Sequence, residues 1–198
     1  MTLQEALTVS RALAESIDRD VNGSVLPATD RDRLSAALLD QAHEHHRAVL
    51  NLIEQTMIGS AFSLVRAMFE TAVRGIWLYH CATDADLSNF KADKLEKSFG
   101  TIIGEVEGVI NANGGSLSVV KSKYWSGMCS YAHGGYLQAV RRITSEHICP
   151  AYSDDEKVEA IRFADFCQIL AAVVIFSMVN RSDLAEKWAQ QPLPLVAT

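Results

Sequence analysis

Apolar residues recur at helical spacing through almost the whole chain, and this periodicity constrains the fold more than any other feature. Residues 3–18 and 29–56 each carry apolar side chains every three or four positions among polar ones, which predicts amphipathic helices. No segment shows the apolar–polar alternation, bounded by turns, that predicts a strand. We therefore expect an all-α protein, a single bundle of about five to seven helices with short connections.

Polar residues ahead of the periodic segments mark the expected helix starts, because their side chains can accept from free N–H groups. The expected N-caps are Thr29 or Asp30, Ser60, and Thr83 or Asp84. Further helices are expected to start at Ser116 or Ser118, at Ser153 and at Ser182. The Asn-Gly-Gly sequence at 113–115 is expected to end one helix, and Gly134-Gly135 is expected to bend another.

The length of 198 residues suffices for one domain with a sizeable core. We expect a single helical domain over residues 1–190 and a frayed tail over 191–198. The formal net charge of −6 argues against non-specific coating of duplex nucleic acid, which needs an excess of Lys and Arg. This net charge is compatible with a local basic pocket that holds one strand or one nucleotide.

The cysteines and the apolar segments predict a cytoplasmic protein. The four cysteines are dispersed without a Cys-x-x-Cys pair, as in reduced proteins. The longest apolar run, residues 169–179, has 11 residues, whereas a bilayer span needs about 20. We interpret this run as a fully buried helix and expect no contact with a membrane. The N-terminal 20 residues carry charges throughout and lack a signal-peptide core.

The segment SLVRAMFETAVRGIWLYH, residues 63–80, is among the most apolar in the chain and still carries four ionisable groups. On a helical projection Glu70, Trp77 and His80 fall within roughly 40° of Arg66, with Arg74 at the edge of the same stripe. Glu70 is spaced i,i+4 from both arginines, so one carboxylate can bridge two guanidinium groups. Two interpretations stay open: a buried ionic tie between helices, or a substrate-binding face.

A second polar stripe is predicted in KSKYWSGMCSYAHGGYLQAVRR, residues 121–142. Ser126, Ser130, His133 and Arg141 lie within about 60° of each other on a helical projection. Ser130 and His133 are i,i+3 neighbours and can hydrogen-bond. The segment has no Gly-x-Ser-x-Gly elbow and no orienting acid nearby, which argues against a serine hydrolase.

The motif HEHHR, residues 43–47, raises the question of a metal site. Helical-bundle metal sites use Glu-x-x-His twice, and the chain contains neither this motif nor His-Glu-x-x-His. We therefore expect the three histidines to lie at the surface or in a partner contact, and we predict no metal and no cofactor.

The chain is similar to an uncharacterised group of bacterial helical proteins over residues 30–145. The shared pattern is an Arg-x-x-x-Glu helix, here in GSAFSLVRAMFETAVRGIWL, followed by a Ser-x-x-His-Gly helix, here in SYAHGG. That group resembles the HEPN superfamily of compact helical bundles. Many HEPN proteins are metal-independent endoribonucleases of toxin–antitoxin and phage-defence systems, with an Arg, four to six residues and a His on one helix. Arg74 and His80 have that spacing, although Gly75 stands where the family usually has a polar residue.

The resemblance implies a homodimer with the active site across the dimer, an RNA or nucleotide ligand, and possible binding to an antitoxin or another protein. The implied catalytic residues are His80, His133 and Arg74. The implied substrate-binding residues are Arg66, Glu70, Trp77, Ser130 and Arg141. A histidine would move the proton, an arginine would stabilise the phosphate charge, and Glu70 would orient the arginines.

Two other hypotheses stay open at the level of sequence. One is a non-catalytic helical interaction protein in which the Arg–Glu–Arg cluster is a structural ion network. The other is a pocket that binds a nucleotide or a small anion without turnover. Convergence of the candidate residues on a solvent-open cleft would favour a site, and pairing in a closed core would favour the structural network.

Overall fold

The computed structural model describes residues 1–110 and 116–191, which form nine α-helices and no strand. The helices are α1 (Leu3–Val21), α2 (Asp30–Glu54), α3 (Ile58–His80), α4 (Asp84–Lys91), α5 (Phe99–Ile110), α6 (Ser116–Ala132), α7 (Tyr136–Val140), α8 (Asp154–Met178) and α9 (Ser182–Ala189). The predicted turn at 113–115 lies outside the described residues, as does the predicted tail from residue 192 onward.

The all-α prediction is confirmed, but the helices outnumber the expected five to seven. The short helices α4 and α9, of eight residues each, begin where helix starts were expected. The helix α7 is the unexpected one, because its five residues contain too few turns for a clear period. The helix α7 exists because the expected bend is a break. The preceding helix ends at Ala132, and Gly134 turns the chain with a φ of +66°, a conformation that glycine adopts readily.

Side-chain caps confirm several of the predicted helix starts. Thr29 caps α2, while Thr83 and Ser153 begin α4 and α8 in capping boxes. The prediction for Ser60 is wrong, because α3 already begins at Ile58 and no side chain caps it. The long helices α2 and α8 thus have their first N–H groups satisfied by their own sequence, whereas α3 does not.

Two long helices, α3 and α8, occupy the centre of the bundle. The helix α3 packs against α2, α5, α6 and α8, and α8 also packs against α1, α2 and α9. The large side chains of Phe69, Trp77, Phe166 and Phe176 are fully buried, and each such burial stabilises the fold by roughly 1.5–3 kcal/mol. Much of the circumference of α3 is therefore in the core, and the charged residues Arg66, Glu70 and Arg74 lie on the half-buried strip that remains.

The helix α8 is the one described helix long and apolar enough to cross a membrane by length and composition. However, 72% of its most apolar window is buried inside the protein, as in the core helix of a bundle. The predicted burial of the apolar run at 169–179 is confirmed for most of its residues.

A close approach between α2 and α3 depends on Gly75. A Cβ atom at this position would lie 2.8 Å from Leu39 Cγ and 3.2 Å from the carbonyl oxygen of Ser35. At the same contact, Ser35 Oγ donates a hydrogen bond of 2.6 Å to the Gly75 carbonyl. The glycine that departs from the HEPN pattern therefore has a packing role between the two helices.

We predict that Gly75→Ala destabilises the protein by about 1–3 kcal/mol, because the added methyl group overpacks the contact between α2 and α3. The matched control is Gly104→Ala in α5, where an added Cβ meets no atom within 4 Å. This control should gain about 0.5–1 kcal/mol from helix propensity. Urea unfolding followed by circular dichroism measures both changes. Equal or higher stability of Gly75→Ala would contradict the packing role.

Candidate functional site

Glu70 bridges two arginines on the polar side of α3. Arg66 Nε donates to Glu70 Oε1 over 2.8 Å, and Arg74 Nη2 lies 3.3 Å from Glu70 Oε2. Both arginines are one helical turn from the carboxylate, so the i,i+4 spacing produces both pairs. The side chains of Arg66 and Glu70 are 21% and 22% exposed. The cluster is therefore neither sealed in the core nor fully solvated.

The helix α6 and the turn after it bring two further side chains onto Arg66. His133 Nε2 forms a hydrogen bond with Arg66 Nη1, and the Trp125 ring centroid lies 4.6 Å from Arg66 Cζ. Phe99 of α5 stacks on Trp125 with ring centroids 5.0 Å apart. Side chains from α3, from α6 and from the turn after α6 thus contact one guanidinium group, and α5 supports the Trp125 ring. The side chains of Arg66, Glu70, Arg74, Trp125 and His133 are called the Arg66 site below.

The hydrogen bond from Arg66 determines the role of His133 Nε2. A guanidinium group has only donors, so Nε2 must accept with its lone pair and cannot carry a proton in this arrangement. The proton of the neutral imidazole then sits on Nδ1. An unprotonated ring nitrogen is a base. It can take a proton only when no donor occupies its lone pair.

The Arg66 site is locally positive in an acidic chain. It contains two arginines and one carboxylate, and Lys121 Nζ lies 5.8 Å from the Trp125 ring centroid. Lys121 forms no ion pair with any residue in the described ranges. The Nε atom of Arg74 is buried and has no hydrogen-bond partner there either. This surplus of positive charge suits an anion.

His80 lies at the other end of α3, away from the Arg66 site. Fourteen residues separate it from Arg66, which is about 21 Å of helix rise. Its exposed ring packs edge-on against Tyr79 with centroids 4.6 Å apart, and desolvation lowers the pKa of His80. Within one chain, His80 and His133 therefore do not converge.

Trp77 does not present its ring to solvent, although the resemblance implied a substrate-binding residue at this position. The ring is fully buried, and its Nε1 donates to Glu105 Oε2 over 2.5 Å. Lys97 Nζ lies 2.9 Å from Glu105 Oε1, and the hydrogen bonds from Lys97 and Trp77 hold the pKa of Glu105 below its usual range. Trp77 therefore ties α3 to α5.

The predicted second polar stripe is not a continuous helix face, because α6 ends one residue before His133. Ser130 Oγ accepts a hydrogen bond of 3.0 Å from the Leu137 N–H and forms none with His133. Arg141 pairs with Glu156 at the start of α8. Ser130 therefore stabilises the turn before α7, and Arg141 connects α7 to α8. Neither hydrogen-bonds to the Arg66 site.

A buried polar cluster that the sequence analysis missed joins α1, α2 and α8. His46 Nε2 lies 3.0 Å from Ser10 Oγ and 2.8 Å from Asp165 Oδ1, and Ser10 Oγ also donates to Asp165. The same ring nitrogen faces both the hydroxyl and the carboxylate, whereas a catalytic triad uses opposite nitrogens. The cluster therefore acts as a polar tie in the core. Its members lie far apart in sequence, so no local pattern indicates it.

The expectation that the histidines of residues 43–47 lie at the surface is wrong for two of the three. His43 is 6% exposed and His46 is fully buried, because both lie on the face of α2 that points into the bundle. Neither ring nitrogen of His43 has a hydrogen-bond partner among the described residues. Burial lowers the pKa of His43 to about 4. Across the same ranges, no three His, Cys, Asp or Glu side chains are grouped to hold a metal.

A family model described as a family of unknown function (DUF6988) matches residues 39–192, more than half of the chain. The match includes every residue of the Arg66 site. None of the curated proteins matches the chain, and neither does any solved structure.

We predict that His43 makes the protein less stable as the pH falls from about 6.5 to about 4. The pKa of His43 is lowered from 6.5 to about 4 on folding, so protonation in this range favours the unfolded state. The loss approaches about 3 kcal/mol at the lower limit. In His43→Leu the free energy of unfolding should fall less over the same range, as measured by urea unfolding at several pH values. His147→Leu, in an exposed loop, is the control. Parallel pH profiles for wild type and His43→Leu would contradict the prediction.

Proposed function

The chain belongs to the DUF6988 family, a family of unknown function, and we propose that it binds RNA at the Arg66 site and cleaves it without a metal ion. One observation carries this proposal. On a partly exposed face, a single guanidinium group contacts a carboxylate, an aromatic ring and an unprotonated imidazole nitrogen. A phosphate binder and a base thus lie side by side, which RNA cleavage by the ribose 2′-hydroxyl requires.

In the proposed reaction His133 acts as the base, and Arg66 and Arg74 bind the phosphate. When RNA binds, Arg66 turns from His133 Nε2 to a phosphate oxygen, and the freed nitrogen takes the proton of the 2′-hydroxyl. The 2′-oxygen attacks the phosphorus, the bond to the 5′-oxygen breaks, and this oxygen takes a proton from a water molecule. The proton on His133 then neutralises the hydroxide that remains, which restores the free base. The products are a 2′,3′-cyclic phosphate and a 5′-hydroxyl. Arg66 and Arg74 stabilise the charge that develops on the phosphate.

The remaining residues of the site keep the arginines in place. Glu70 accepts a hydrogen bond from Arg66 and forms an ion pair with Arg74, and so holds both guanidinium groups on one face of α3. The Trp125 ring supports Arg66 by a cation–π contact, which contributes about 0.5–1 kcal/mol at an exposed site. With Phe99 and Arg66 both against Trp125, we assign this ring to positioning rather than to stacking on a base.

The double pairing of Glu70 also favours a second candidate, a non-catalytic interaction protein with a structural ion network. Both pairs lie within α3, however, where an i,i+4 pair contributes only about 0.2–0.5 kcal/mol. Such pairs do not tie α3 to another helix, and they do not account for the hydrogen bond from Arg66 to His133. We therefore prefer the RNA proposal. The homodimer and the protein partner implied by the HEPN resemblance stay predictions.

We predict that the purified protein cleaves single-stranded RNA equally well with and without EDTA. His133→Ala should lose activity by about 100-fold or more, since the base is removed. Arg66→Gln should lose a similar factor, since one phosphate donor is removed. The products should carry 2′,3′-cyclic phosphate ends, which mass spectrometry identifies. Thermal unfolding of each variant establishes that it is folded.

His80→Ala and His147→Ala are the controls for this experiment. Both remove a histidine that lies outside the Arg66 site, and both should cleave at the wild-type rate. Loss of activity in His80→Ala alone would show that the base has been assigned to the wrong end of α3. Binding of RNA by the wild type without cleavage would contradict the catalytic step and favour a site without turnover.

A further inference from the structure

The first turn of α3 has free hydrogen-bond donors. The N–H groups of Ser60 and Ala61 donate to the Met57 carbonyl, but no described residue accepts from the N–H groups of Ile58 and Gly59. Met57 occupies the N-cap position and its side chain cannot cap. The positive end of the helix dipole is therefore uncompensated by any capping side chain.

Three side chains with donor groups converge on this turn from the segment that follows α6. Around the position that a Cβ atom of Gly59 would occupy, Tyr152 Oη lies at 3.7 Å, Arg142 Nη1 at 3.8 Å and Gln138 Nε2 at 3.9 Å. Arg142 is exposed and forms no ion pair with a residue of the described ranges. Gln138 already donates to Ser63 Oγ over 3.1 Å.

Tyr152 provides a second, independent indication of a ligand. Its side chain is in the core, with only 8% of the residue exposed, and its hydroxyl has no hydrogen-bond partner among the described residues. Buried hydroxyl groups nearly always have a partner, because leaving one unpaired is unfavourable. Burial raises the pKa of Tyr152, so the hydroxyl keeps its proton and remains a donor.

We propose that the first turn of α3 binds one phosphate group. The N–H groups of Ile58 and Gly59, the guanidinium of Arg142 and the hydroxyl of Tyr152 are its donors. Helix N-termini bind phosphate through such free N–H groups, and an exposed arginine adds a charge that can close over the anion. Because Gly59 has no Cβ atom, it places no side chain of its own between this backbone and the three donor groups.

This phosphate site is separate from the Arg66 site. Arg66 lies seven positions after Gly59 in α3, which corresponds to about 10 Å of helix rise. The phosphate can come from an RNA strand that continues from the Arg66 site or from a free nucleotide. Binding of an RNA strand at this site rests on the proposed function. The phosphate site itself is inferred from the donor groups at the first turn of α3.

Titration of the wild-type protein with inorganic phosphate, followed by the amide resonances of ¹⁵N-labelled protein, tests the site directly. We expect saturable shifts at residues 58–60. Tyr152→Phe removes only a hydroxyl that has no protein partner, so its melting temperature without phosphate should equal or exceed that of the wild type. Its phosphate affinity should be about threefold to tenfold lower, and that of Arg142→Gln at least about tenfold lower.

Equal phosphate affinity in the wild type and in both variants would overturn the proposal, as would shifts confined to residues away from the start of α3. His133→Ala should keep the shifts at residues 58–60, so failure of RNA cleavage does not remove this site. Competition by RNA without terminal phosphates would identify a backbone phosphate as the ligand. Competition by adenosine 5′-monophosphate alone would identify a free nucleotide.

Discussion

The packing of α3 between α2, α5, α6 and α8 is the constraint on which the rest of the structure depends. It places Phe69, Ile76 and Trp77 in the core and requires Gly75 at the contact with α2. Because α3 is buried around much of its circumference, its charged residues Arg66, Glu70 and Arg74 lie on the half-buried strip that remains. The position of the Arg66 site is thus a consequence of core packing as well as of the charges themselves.

The strip is not uniform, and the neighbouring helices determine what each part can do. Near its middle, α6 supplies an aromatic ring, and the turn after α6 supplies an imidazole to a guanidinium that already pairs with Glu70. Further along, α5 covers Trp77 and pairs it with Glu105. At the start of α3, the segment around α7 contributes donors to an uncapped turn. The same helix therefore combines a structural tie with two places suited to anions.

The fold class and most helix boundaries could be predicted because they depend on local features. Period, capping residues such as Thr83 and Ser153, and i,i+4 spacings in α3 all act within a few residues. The break before α7 was harder to predict, since it depends on Gly134 adopting a positive φ. A Gly-Gly pair in the sequence is compatible both with a bend within one helix and with a break between two helices.

The candidate site could be predicted only in part, because its partners come from distant segments. The Arg66–Glu70–Arg74 pairs follow from spacing, whereas the contact with Trp125 requires knowledge of how α6 packs. The cluster of Ser10, His46 and Asp165 joins three helices and has no local pattern. The interior positions of His43 and His46 were missed because histidine is common both inside and outside proteins.

The central claim is that Arg66 is held ready for a phosphate rather than used to stabilise the fold. Fluorescence anisotropy with a short, labelled single-stranded RNA tests it most directly, with wild type, Arg66→Gln and Arg11→Gln side by side. Both variants remove one positive charge, and Arg11 pairs with Glu54 on another face of the bundle. We expect at least about tenfold weaker binding for Arg66→Gln and unchanged binding for Arg11→Gln. Equal affinities for all three proteins, with a lower melting temperature for Arg66→Gln, would instead establish a structural arginine.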